Sequence, residues 1–205
     1  MNKPGQNEFL DRLLNLKNKK IILASRSPRR AEMLKSLGLS FTVLPTPVEE
    51  TLGESESPVD FVRRVALEKA SWVKNKLPAD LIIAADTVVY INNRILQKPN
   101  NADDAAAMLG LLSGATHQVV TGFCLLNANK QIVEHEITRV EFYALTDREI
   151  EAYVDSGEPM DKAGAYGIQG YASLFIKKVD GCYYNVVGFP LAKFYLHLKE
   201  IYWRK

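Results

Sequence analysis

The chain has 205 residues, of which 47% are hydrophobic and 24% charged, with a formal net charge of +2. These are ordinary globular values that leave little room for extensive disorder, and lysines and arginines scattered without a long block argue against a broad nucleic-acid-binding surface. No run approaches the roughly 18 apolar residues of a spanning helix, so no membrane partner is expected and the default location is the cytoplasm.

The length predicts one compact unit with two lobes around a cleft. Residues 1–19 read as an N-terminal extension with an amphipathic fragment, Phe9-Leu10-Asp11-Arg12-Leu13-Leu14-Asn15-Leu16, and 20–205 as a single domain. Lys20-Ile21-Ile22-Leu23-Ala24 predicts a short buried strand. Ser27 then reads as a helix cap, Pro28 as the first helical residue, and Gly38 as the stop. A helix N-terminus carries roughly half a positive charge, so Arg29 and Arg30 in the first turn cost about 0.3–1 kcal/mol each unless offset. A bound anion offsets them most simply: free N–H groups, the Ser25 and Ser27 hydroxyls and two guanidiniums make a cradle for a phosphate chain. The alternative, both arginines pointing into solvent, stays open on local sequence.

Phe41-Thr42-Val43-Leu44 predicts a strand, followed by a polar loop carrying Glu49-Glu50. A long helix over 59–77 opens on Pro58, and Leu81-Ile82-Ile83-Ala84-Ala85-Asp86-Thr87-Val88-Val89-Tyr90-Ile91 has the continuous apolar character of a central strand. Asn92-Asn93 signals a turn into a hairpin at Arg94-Ile95-Leu96. A helix over 102–112, strands over 116–126 and 132–143, and a helix capped by Thr146 with Glu149 three residues on follow in order. A glycine-punctuated loop over 158–171 leads to a strand near 174–179 and a final amphipathic helix over 189–202. Alternating strands and helices, with some strands adjacent, give an α/β class with a mixed sheet.

Several groups sit awkwardly in this pattern. Asp86 lies mid-strand among apolar residues and must be paired or displayed at a mouth of the sheet, because an isolated buried charge costs several kcal/mol. It is a candidate general base or metal ligand, with a carboxylate that caps a loop or pairs with a nearby lysine as the alternative. Lys69 lies on the apolar stripe of the long helix, where snorkelling outward is the default expectation and a charged pocket the alternative. Lys98 is a further cation in a polar break, where a solvated loop lysine is the alternative, and Glu49 and Glu50 read first as solvated loop acids, although acids near phosphate-binding cations are also how a divalent ion is held. In Glu158-Pro159-Met160-Asp161-Lys162-Ala163-Gly164-Ala165-Tyr166-Gly167-Ile168-Gln169-Gly170, glycines let backbone approach a ligand while Gln169 reads hydrogen-bonding edges. His117, His135 and His197 lack supporting spacing and read as surface or ordinary packed residues. Cys124 and Cys182 form no CxxC, and Cys124 reads as a small buried hydrophobe. Neither GxxxxGK[ST] nor GxGxxG is present.

Taken together, Ser25-Arg26-Ser27-Pro28-Arg29-Arg30, Ala85-Asp86-Thr87, Gln97-Lys98-Pro99 and Ser156-Gly157-Glu158-Pro159 continuing to Gly170 resemble the Maf (septum formation inhibitor) family of nucleoside triphosphate pyrophosphatases. The match runs in order over about 20–198. The form Gly164-Ala165-Tyr166-Gly167-Ile168-Gln169-Gly170 resembles the branch acting on dTTP and UTP rather than 7-methyl-GTP. The resemblance implies a mixed twisted sheet with flanking helices and two lobes around a central cleft, as in Maf and ITPase folds. It implies a proton acceptor at Asp86, specificity positions at Arg29, Thr87 and Gln169, and charge-handling roles for Ser25, Glu50, Lys69 and Lys98. With the local reading, the expected catalytic set is Asp86, Lys69 and Lys98. The expected substrate-binding set is Ser25, Arg29, Arg30, Thr87, Glu158, Asp161, Lys162 and Gln169. Glu50 and Asp86 are the expected ligands of a divalent cation, Mg²⁺ or Mn²⁺. The expected partner is a nucleoside triphosphate, with a homodimer left open. A nucleotide-sensing regulator of septum formation acting through a protein partner is the alternative reading, and a phosphatase releasing inorganic phosphate is another. Arg26 occupies a position often held by a small residue, and 1–19 extend beyond the usual start.

Overall fold

A computed structural model describes residues 8–203. The part of the N-terminal extension at 1–7 lies outside the described residues. The elements run in order as helix α1 (Phe9–Leu13), strand β1 (Ile21–Ala24), α2 (Pro28–Ser36), β2 (Thr42–Val43), α3 (Pro58–Lys74), β3 (Leu81–Ile91) and β4 (Arg94–Leu96). There follow α4 (Ala102–Leu112), β5 (Thr116–Leu126), β6 (Gln131–Phe142), α5 (Asp147–Asp155), β7 (Ile176–Asp180), α6 (Tyr183–Val187) and α7 (Leu191–Tyr202). Among the described residues the seven strands form one sheet in the order β2-β1-β3-β5-β6-β7, with β4 paired to β3. The β1 pairings with β2 and β3 are parallel, whereas β3 with β4 and β6 with β7 are antiparallel, so the sheet is mixed.

The helix starts are written in the sequence. Ser27 accepts the Arg30 N–H with Pro28 at the first helical position, Ser57 accepts the Asp60 N–H ahead of α3, and Asn101 accepts the Asp104 N–H ahead of α4. Thr146 and Glu149 close a reciprocal capping box on α5. The β3–β4 turn uses Asn92 and Asn93, both left-handed at φ +49° and +59°, the backbone a two-residue hairpin requires and asparagine tolerates. The predicted strand at 41–44 shortens to two residues, and the glycine-punctuated segment 158–174 folds as three short 3₁₀ turns. The short helix α6 was not anticipated, because its pattern spans little more than one turn.

The chain divides into two compact units. The first takes the described parts of 1–86, 122–135 and 189–205; the second takes Thr87–Thr121 and Glu136–Gly188. The division crosses β3 between Asp86 and Thr87. In the first unit, Ala66, Ala70 and Val73 of α3 pack on Ile22, Ala24, Ile82, Ala84 and Cys124. Gly122 allows this close approach: a Cβ there would lie 2.5 Å from the Val62 carbonyl. Cys124 is the buried hydrophobe expected, its thiol pushed up to about 12 by burial. Residues 8–16 pack by burying Leu10, Leu14 and Leu16, and both oxygens of the buried Asp11 carboxylate accept the Ser40 N–H at 3.2 Å. In the second unit, α4 and α5 enclose a cluster that includes Leu109, Leu112, Phe142, Tyr153, Tyr166 and Phe175.

His117 belongs to that second cluster rather than to the surface. It is 2% exposed, edge-on to Phe142 and Tyr166, and its Nε2 lies 2.7 Å from the Tyr166 hydroxyl. Burial pushes its pKa down to about 4. A folded-state value below the unfolded value means that its stabilisation is complete above the unfolded value, about 6.5, and lost as pH falls towards the folded one. A shift of that size corresponds to about 3 kcal/mol. Replacing His117 with Gln is expected to flatten the acid side of the stability curve by up to that amount, read as the difference between wild-type and variant urea midpoints at pH 7 and pH 4.5. Parallel curves would contradict it.

Candidate active site

The strand-to-helix turn at 25–30 does not leave Arg30 to solvent. Ser25 is buried at the end of β1, where its Oγ accepts the Ser27 N–H at 3.1 Å and an Arg30 Nη1–H at 3.3 Å. Arg30 itself is 8% exposed and donates to the Ala85 carbonyl at 2.9 Å. Half of the dipole mismatch read from sequence is therefore met inside the protein. Burial pulls the Arg30 pKa down while Asp86 and Glu50 push it back up. Arg29 is half-buried, and the exposed Arg26 donates to the Thr46 carbonyl at 3.1 Å.

One residue after the carbonyl held by Arg30 stands Asp86, 5% exposed. Its Oδ1 accepts from Lys69 Nζ at 2.8 Å, and the same ammonium donates to Glu50 Oε1 at 2.6 Å. Lys69, 6% exposed, does not snorkel. It is buried because two carboxylates and the Ala85 carbonyl, 3.5 Å away, replace its water. Burial raises the Asp86 pKa above the ordinary carboxylate range and Glu50 adds to the rise, while Lys69 and Arg30 oppose it. Ser25, Arg30, Glu50, Lys69 and Asp86 are thus brought together within the first unit.

Among the described residues no group of three or more His, Cys, Asp or Glu side chains converges on a metal position. Glu50 and Asp86 nevertheless offer two hard oxygens that already face one shared cation, Lys69 Nζ. A pair of carboxylates completed by phosphate oxygens and water is the donor set Mg²⁺ ordinarily takes, so these residues fit such an ion.

The remaining candidates lie in the second unit. Thr87 is half-buried, with its Oγ1 2.9 Å from Thr121 Oγ1 and 3.4 Å from the Gly188 carbonyl oxygen. Thr121 in turn donates to the Asn185 carbonyl at 3.3 Å, and the buried Asn185 amide donates to the Val119 carbonyl and to Thr138 Oγ1, each at 3.0 Å. Lys98 is exposed and has no hydrogen-bond or ion-pair partner among the described residues. Gln169 is likewise exposed, its amide bonded to no described residue. Glu158 and Lys162 turn instead to their own loop. Glu158 accepts from the Tyr153 hydroxyl and the Tyr171 N–H, both at 3.0 Å, and Lys162 Nζ donates at 2.6 Å to the Glu158 carbonyl and to Asp161 Oδ1. The loop's shape depends on Gly164, at φ +66°, whose N–H donates to the Gln97 carbonyl and where a Cβ would lie 2.6 Å from Val89.

Sequence reasoning passed over Tyr153, Thr121 and Asn185. A threonine inside the apolar run 119–126 was the available signal for Thr121. Tyr153 and Asn185 sit on short helices whose buried faces only their neighbours define.

No helix among the described residues is long and apolar enough to cross a membrane. The Maf-like protein family model matches residues 20–201. A dTTP/UTP pyrophosphatase of Bacillus cereus (strain G9842) is 48% identical over 182 residues, which cover 89% of this chain and 95% of that protein. One of Bacillus anthracis is 47% identical over the same shares. A solved HAM1 protein from Coxiella burnetii aligns at TM-score 0.45 and 15% identity over 88% of this chain and 98% of its own, a likeness too slight to build on. With the family model spanning both units and relatives near half identity over almost their whole length, the chain belongs to the Maf-like protein family.

Proposed function

We propose that the protein hydrolyses pyrimidine nucleoside triphosphates, dTTP and UTP together with modified pyrimidine analogues, to the nucleoside monophosphate and pyrophosphate. The observation that carries this reading is the buried Asp86 carboxylate, with its proton affinity raised and Lys69 fixing its position. A buried carboxylate with raised proton affinity suits general-base work. The 48% identity to a protein named dTTP/UTP pyrophosphatase supports the substrate class.

In this mechanism Asp86 takes a proton from a water whose oxygen attacks the α-phosphorus. The new P–O bond forms as the bond to the α–β bridging oxygen breaks, and pyrophosphate leaves with the electron pair. Arg29, Lys69 and Lys98 neutralise charge on the phosphate chain, the larger contribution in a partly dehydrated site. Arg30 acts at one remove, by holding Ser25 and the Ala85 carbonyl. Glu50 and Asp86 would hold the divalent cation, Mg²⁺ or Mn²⁺, which when bound supplies further neutralisation of phosphate oxygens. Gln169 presents an amide donor and acceptor to the pyrimidine edge, Thr87 assists selection, and Glu158, Asp161 and Lys162 build the loop that carries Gln169.

The test is a panel of common and modified nucleoside triphosphates with Mg²⁺ or Mn²⁺, with pyrophosphate and phosphate measured separately. Pyrophosphate from dTTP and UTP far above that from purines is the expected result. Phosphate as the product would make the protein a phosphatase, and saturable binding without product would make it a sensor.

A further inference from the structure

Gln169 has no hydrogen bond of its own to fix its pose, yet the backbone on either side of it is held. Two positions before it, the Gly167 N–H reaches the Tyr153 hydroxyl at 3.4 Å; two positions after it, the Tyr171 N–H donates to Glu158 Oε2 at 3.0 Å. The two holds share one source. The Tyr153 hydroxyl donates to Glu158 Oε1 at 3.0 Å, so the residue that meets Gly167 also orients the carboxylate that meets Tyr171. Tyr153 is itself immobilised: it is 3% exposed, the one fully buried residue of α5, and edge-on to Phe175 at 5.3 Å.

Side chains of the same loop approach the glycines between these holds closely. A Cβ on Gly170, at φ +106°, would lie 2.6 Å from Glu158 Oε2, and one on Gly167 would lie 2.7 Å from Lys162 Cε. Ile168 is buried beside them, so Gln169 is the side chain between the holds that turns outward. Burial of the Tyr153 phenol, with Glu158 beside it, raises its pKa and keeps the hydroxyl protonated as a donor.

We propose that Tyr153 is a positioning residue for nucleobase selection, its hydroxyl and the Glu158 carboxylate it orients fixing the backbone from which the Gln169 amide is presented. The proposal rests on the reading that Gln169 meets the base. A selecting amide presented from a fixed backbone discriminates by leaving wrong partners unpaired, whereas one on a mobile loop adapts to them.

The experiment measures kcat and KM of the full chain with dTTP, UTP, dCTP and dATP, for wild type, Tyr153→Phe, Glu158→Ala and Gln169→Ala. Removing the hydroxyl is expected to lower the kcat/KM preference for dTTP over dATP by about tenfold, the worth of roughly one hydrogen bond. That loss should appear mainly as a raised KM for dTTP, with kcat changed less than about twofold. Glu158→Ala should reproduce the loss from the other end of the bond. A merely structural role would lower the thermal midpoint or reduce kcat for all four nucleotides alike and leave the preference untouched, and that outcome in folded Tyr153→Phe and Glu158→Ala overturns the proposal. Should Gln169→Ala keep the wild-type preference, the reading of Gln169 fails and the proposal with it. Should Gln169→Ala lose the preference while Tyr153→Phe keeps it, only the proposal fails.

Discussion

Asp86→Asn is expected to give a folded protein whose turnover of dTTP is lower by about 10²–10⁴. The substitution keeps the shape of the side chain, and an amide oxygen still accepts from Lys69 Nζ where the carboxylate now does at 2.8 Å. Glu50, 2.6 Å from the same ammonium, continues to balance its charge. What disappears is the capacity to take a proton from water, together with the negative charge that Asp86 would offer a divalent cation beside Glu50. Pyrophosphate release, followed beside a thermal melt, separates this loss from unfolding. Wild-type turnover in a folded variant would remove Asp86 from the role of base.

Lys69→Met is the second change with a large expected effect, and it acts on stability and on pH dependence together. Its side chain is 8% exposed and that of Asp86 7%, so methionine leaves a buried carboxylate without its closest counter-charge. Breaking a buried pair from one side costs about 3–5 kcal/mol, which in a chain of this size lowers the melting temperature on the order of 10 °C. The Glu50 side of the clamp contributes less, because that side chain is 39% exposed and water screens the pair. Lys69 lowers the Asp86 pKa against the effect of burial, so its removal lets that pKa rise further. A base with a higher pKa is protonated over more of the pH range, and the acid limb of the rate profile is expected to move to higher pH.

The stability deficit of Lys69→Met carries its own sign. An Asp86 pKa raised in the folded state makes a contribution that is present below the unfolded pKa and lost as pH rises through the folded value. The deficit should therefore grow as pH rises through the folded value and shrink on acidification. A deficit independent of pH would mean that lost packing along the lysine stem, rather than an unpaired carboxylate, accounts for the cost.

Most of the secondary structure was legible because its signals are local. Ser27-Pro28, Ser57-Pro58, Asn101 and the Thr146–Glu149 pair fix helix starts through bonds made within one turn, and Asn92-Asn93 fixes the hairpin through backbone freedom. The family was legible for a different reason: the groups that handle charge recur at set intervals, and Asp86 in an apolar strand announces itself by the cost of burying it. The length of β2 and the existence of α6 were not legible, since a two-residue strand and a five-residue helix are stabilised by neighbours rather than by their own pattern.

What the sequence determined by itself is thus the identity and order of the charged groups and the class of chemistry they suit. Tertiary structure alone decided how those groups pair. Lys69 reads as a snorkelling lysine until Glu50, 19 positions before it, and Asp86, 17 after it, are folded against it. Arg30 reads as a solvent or anion-facing cation until the Ala85 carbonyl, 55 residues on, is brought within 2.9 Å. His117 reads as an ordinary histidine until Phe142 and Tyr166 enclose it. In each case a charge or dipole is stabilised or penalised according to the water removed around it. That desolvation is set by packing across long sequence separations, to which no local spacing rule has access.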